Sequence, residues 1–114
     1  MRSWDLTQID APAGTRDPVV LTTDDTARAV VISLAPGQEL GDHQVHERAW
    51  IVVVEGSVQI SATESDVRDC GAGTLITFEP NERHAIRSEA GARILLLLAP
   101  WPGVGHFRGH DRER

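Results

Sequence analysis

The sequence predicts an all-β chain folded as a sandwich or barrel, and three observations carry that expectation. Breaks are frequent: Asp17-Pro18, Asp24-Asp25, Ala35-Pro36-Gly37, Glu55-Gly56, Cys70-Gly71-Ala72-Gly73, Glu79-Pro80-Asn81 and Ala99-Pro100-Trp101-Pro102-Gly103. The stretches between them are short and rich in Val, Ile, Leu and Thr, residues that suit a pleated surface. No window shows a sustained amphipathic helical period.

The elements follow in order. A first strand over 19–22 lies between Asp17-Pro18 and Asp24-Asp25, and a second over 28–34 runs up to Pro36-Gly37. A further short strand is expected before His43. Strands over 48–54 and 57–62 read as a hairpin turning at Glu55-Gly56. Glu64 and Asp66 read as loop charges, and Cys70 as part of a Gly-rich turn. Strands over 74–78, 85–88 and 93–99 complete the set.

Two of these strands are apolar on both phases. Ala49, Ile51 and Val53 alternate with Trp50, Val52 and Val54, and Arg93–Ala99 reads RILLLLA. Alternate side chains face opposite ways, so both faces need cover. Either the N-terminal segment or a second copy in a homodimer can supply the outer cover.

Composition narrows the function. The chain has 114 residues, enough for a single domain, read as a core over 17–100 with an arm over 1–16 and a tail over 101–114. Its net charge of −6 disfavours nucleic acid and anionic membranes as partners. Lysine is absent, which excludes a P-loop lysine and Schiff-base chemistry, and tyrosine is absent too. A single cysteine, Cys70, cannot form an intrachain disulfide. With no apolar leader or spanning stretch, a cytoplasmic protein is expected.

The chemistry-bearing residues lie in two stretches. The first runs Gly37, His43, Val45, His46, Glu47, Ala49, Gly56, and the second Gly73, Pro80, His84, Ser88. This arrangement resembles the cupin superfamily, whose motifs are commonly written G-x5-H-x-H-x3-E-x6-G and G-x5-P-x-G-x2-H-x3-N. Five residues separate Gly37 from His43, six separate Ala49 from Gly56, and ten separate Gly73 from His84, all at the family's spacing. Pro80 sits one place late, and Ser88 stands where the family has Asn. The resemblance implies a double-stranded β-helix, or jelly-roll barrel, with a site between its sheets.

In metal-binding cupins two His and a Glu of the first motif and the His of the second hold one divalent metal. The resemblance carries over to His43 and His84, but the second His position is Val45 and the Glu position is Ala49. Three readings stay open. A one-residue bulge would turn His46 inward and give a site of His43, His46 and His84. In unbroken register, Glu47 would supply an oxygen ligand beside the two outer histidines. In the third, His43 and His84 are cavity residues without a metal, still able to serve as acid and base. A metal held this way could be Fe, Mn, Ni, Cu or Zn.

The expected cavity is lined by Val45, Ala49, Ile51, Val53 and Ile86 with the two histidines, and is roomier and more apolar than a standard metal site. A small, partly hydrophobic organic ligand follows. The resulting expectation is either an oxidoreductase or isomerase using the metal, a metal-free binding or sensing module, or a non-catalytic interaction protein. Cys70, Phe78, Arg83 and Arg87 read as structural or solvent residues. Trp50 reads as an interface residue, and His106 and His110 as part of a solvated tail.

Overall fold

A computed structural model describes residues 1–14, 18–43 and 45–103, with the backbone alone at 42 and 43. All eight regular elements among them are strands: β1 (Val19–Thr23), β2 (Arg28–Leu34), β3 (Glu39–His43), β4 (Arg48–Thr63), β5 (Asp66–Gly71), β6 (Leu75–Phe78), β7 (His84–Arg87) and β8 (Ala92–Ala99). Every pairing is antiparallel. β1, β2, β8, the first half of β4 and β6 form one sheet, in that order. β5, the second half of β4, β7 and β3 form the other. The all-β class expected from the sequence is the class observed.

The hairpin expected at Glu55-Gly56 is not formed. Arg48–Thr63 is one strand of 16 residues that passes from the first sheet into the second. Ala49, Ile51 and Val53 are buried in its first half, Val58 and Ile60 in its second. The inward phase therefore moves from odd to even positions. A register shift between Val53 and Glu55 supplies the extra residue. Such a bulge bends the strand while returning its apolar set to the inside. Gly56 sits at the bend with φ of 76°. A Cβ there would lie 2.1 Å from the Gly91 carbonyl oxygen, so the corner closes only around glycine. A tight turn and a sharp bend use the same local signal, and pairing decided between them.

The second correction concerns Asp66 and Cys70, which belong to β5 and not to loops. Directly opposed residues share a face. Cys70 opposes Val58 and Arg68 opposes Ile60, so β5 turns Arg68 and Cys70 inward. Val67 points the other way and is exposed. The pattern is inverted relative to a normal half-buried strand, which is why alternation did not reveal it.

The core lies between the sheets and includes Ile32, Leu34, Ala49, Ile51, Val53, Val58, Ile60, Phe78, Ile86, Ile94 and Leu98. Ser88, fully buried, ties the end of β7 to the corner by donating from Oγ to the Ser57 carbonyl at 2.6 Å.

The outer face of the first sheet is covered in part by the chain's own N-terminus. Arg93 donates to the carbonyls of Leu6 at 2.9 Å and Ala11 at 3.4 Å, and to Ser33 Oγ at 3.2 Å. Segment 6–11 is thereby tied across β2 and β8, and Val31, on the outward phase of β2, is fully buried. Further along the same face Trp50, Val52, Leu95 and Leu97 stay half-buried, and Leu75 is 59 % exposed.

Candidate functional site

β3 and β7 bring together the two histidines that lie far apart in the chain. His43 and His84 are direct partners across that strand pair. Opposed residues on antiparallel strands have Cα atoms about 4.5–5.5 Å apart. The pairing skips from Leu40 to His43, so β3 carries an irregularity immediately before the histidine.

His84 is well defined. Only 3 % of it is exposed. Its ring stacks on Phe78, with centroids 4.0 Å apart and planes within 12°. Its Nδ1 lies 3.2 Å from the Glu82 carbonyl, which can only accept. Nδ1 therefore carries a proton, and in the neutral ring this leaves the lone pair on Nε2, the tautomer suited to a base or a metal ligand.

The space beside His84 is small. It is lined by Val45, Ala49, Ile51, Ile86 and neighbours including Leu40 and Leu96, and its volume is about 20 Å³. That is room for roughly one water molecule. Among the described side chains, which exclude those of residues 42–44, this is the space found beside Val45 and Ala49, and Leu40 and Leu96 are part of its wall. Val53 is fully buried in the core and does not line this chamber.

The remaining expected ligands are placed elsewhere. His46 is solvent-exposed. Glu47 is fully buried, and its Oε2 accepts from the Gly103 backbone N–H at 2.7 Å. Gly103 packs closely there, since a Cβ on it would come within 2.8 Å of the His46 carbonyl oxygen. The Glu47 carboxylate thus straps the C-terminal segment over the β3–β4 connection, a partnership that local sequence does not announce. His106 and His110 lie outside the described residues.

The metal that the resemblance implies can be tested against these residues. Val45 and Ala49 offer no donor, His46 is on the surface, and one Glu47 oxygen is engaged by Gly103. Among the described residues no three His, Cys, Asp or Glu side chains come together as a metal site. The described donors, with the His43 side chain outside them, do not fit a cupin metal centre.

A larger opening lies on the other side of Phe78, between edge strands β5 and β6. Ile60, Cys70 and Arg68 line it from the second sheet, and Ile76 and Phe78 from the first; its volume is about 380 Å³. Asp66, Thr74 and Glu82 add polar groups. Sequence reasoning missed this cleft because β5 went unread. One face of Phe78 meets His84, and the residue also forms part of the cleft wall.

Comparison with known proteins agrees with this geometry. A family model described as "Cupin domain" matches residues 30–99. An rmlC-like cupin protein from Desulfovibrio desulfuricans superposes with a TM-score of 0.77 at 22% identity, covering 88% of this chain and 97% of that one. A conserved protein with a double-stranded beta-helix domain from Klebsiella pneumoniae gives 0.76 at 20% identity, covering 88% and 90%. A cupin superfamily protein from Desulfitobacterium hafniense gives 0.73 at 15% identity, covering 82% and 85%. No curated protein matches the chain. The matched span takes in both histidine-bearing strands and most of the two sheets, and the chain belongs to the cupin domain family.

Proposed function

We propose that this cupin binds a small, partly apolar organic molecule in the cleft between β5 and β6, without needing a metal. The observation that carries this is the cleft itself. At about 380 Å³ it lies at the lower end of the range for small-molecule sites, roughly 300–1,000 Å³. Its floor of Ile60, Ile76 and Phe78 suits a hydrocarbon or aromatic body, and Asp66, Arg68, Thr74 and Glu82 offer orienting groups. The chamber at His84, by contrast, measures about 20 Å³ between described side chains. His84 serves in this reading as the buried support of the Phe78 wall.

A fragment screen by ligand-detected NMR tests the proposal. Fragments should bind with Kd below about 1 mM, EDTA should leave their affinity unchanged, and Ala62→Trp, which fills the cleft, should abolish binding. Absence of any binder overturns the reading. Binding that disappears with EDTA and returns with Fe, Mn, Ni, Cu or Zn replaces it with a metal-dependent one through His43 and His84.

We also propose a homodimer, formed through the outer face of the first sheet. Trp50, Val52, Leu95 and Leu97 lie there beside exposed Leu75, beyond the stretch that the N-terminal arm covers.

A further inference from the structure

We infer that the cleft selects organic anions, a carboxylate on an apolar body, and that Arg68 is the residue that reads the charge. This rests on the cleft reading above and deepens it. Arg68 is the only cation that lines the cleft among the described residues. It stands on the inner face of β5, opposite Ile60, at a position where an apolar side chain would be ordinary. Its Nε donates to Asp66 Oδ1 at 3.3 Å. Neither terminal guanidinium nitrogen hydrogen-bonds a described residue.

The two acids of the lining hold other partners but keep their charge, so selection has to come from the guanidinium fork and not from net charge. Asp66 faces the Arg68 Nε, and Glu82 Oε1 accepts the Glu79 backbone N–H at 2.9 Å, closing the turn before β7. What the cleft presents to a newcomer is therefore the outer fork of a guanidinium above an apolar floor. That fork matches a carboxylate in two parallel hydrogen bonds, a geometry no amide or alcohol reproduces. The Arg68 side chain is 76% exposed, so a ligand reaches it without opening the fold. A rival account gives Arg68 no ligand at all. Inward-pointing charges on edge strands also discourage pairing with other chains.

Amide-resolved NMR titrations with hexanoate, hexanamide and hexylammonium at fixed ionic strength decide the matter. Hexanoate should shift the amides of Arg68, Cys70 and Leu75–Phe78, and bind about tenfold more tightly than hexanamide. Arg68→Gln should erase that difference and leave the weak, shared binding of the hydrocarbon chain, while Arg68→Lys should keep part of it. Equal binding of acid and amide to the native protein overturns the role of Arg68 and leaves the cleft reading standing. So does an Arg68→Gln variant that still prefers the acid, or a native preference for hexylammonium. If none of the three perturbs β5 or β6, the inference and the cleft reading fall together.

Discussion

Single residues at this site do work that their neighbours in sequence do not suggest. His84 has its Nδ1 held by a carbonyl two residues earlier and its ring stacked on Phe78. Phe78 belongs to the core, so Phe78→Ala should cost about 3–5 kcal/mol in urea unfolding, and should also weaken fragment binding in the cleft. A loss below about 1 kcal/mol would refute its part in the core. Glu47 shows the opposite case, a carboxylate whose partner lies far along the chain. Glu47→Gln keeps an oxygen for the Gly103 N–H, whereas Glu47→Leu leaves that buried donor unpaired. The leucine variant should lose about 1–3 kcal/mol more than the glutamine variant by chemical denaturation. Equal losses would show that the hydrogen bond contributes nothing. The resemblance to the cupin motifs implied that His43 and His84 share one site, and their backbones pair across β3 and β7. It could not place Glu47, because the groove that buries it forms only when the C-terminal segment docks.

At the scale of elements, β4 and β5 explain where strand patterning succeeds and fails. The apolar runs of β2, β4 and β8 are long and rich in β-branched residues, and they announce themselves. The corner in β4 does not, because Glu55-Gly56 is compatible with a turn, and only pairing of both halves with different strands shows a bend. Gly56→Ala should destabilise by about 3 kcal/mol or more, since a methyl group would overlap the Gly91 backbone at a positive φ. A variant within about 0.5 kcal/mol of the native protein would contradict the closed corner. β5 was illegible for another reason. Its inward residues are Arg68 and Cys70 and its outward Val67 is exposed, so its pattern is that of an open sheet edge and not of a packed face.

Over the whole molecule, the chain itself meets part of the demand for cover on the outer sheet face. The N-terminal arm covers one end, with Arg93 bonding two of its carbonyls. Arg93→Met keeps much of the side-chain bulk and removes the bonds. The variant should be cleaved faster within residues 1–14 by a nonspecific protease; an unchanged rate would mean the arm is held by other contacts. The other end, around Trp50 and Leu95, is the surface proposed for the homodimer. Light scattering should give twice the chain mass for the native protein and the monomer mass for Trp50→Arg, whose charge would be buried at the contact. A native monomer at about 100 µM removes the proposal.

The sequence by itself determined the class of fold, the order of the strongest strands and the motif positions of His43 and His84, whose strands pair. These rest on alternation and spacing, which are properties of the chain read locally. Only the tertiary structure decided that the described side chains leave about 20 Å³ beside His84, that Glu47 holds the C-terminal segment, and that a larger cleft lies behind Phe78 beside Arg68. Volume and burial depend on side chains brought together from distant strands, and no local pattern encodes how much room remains once they pack.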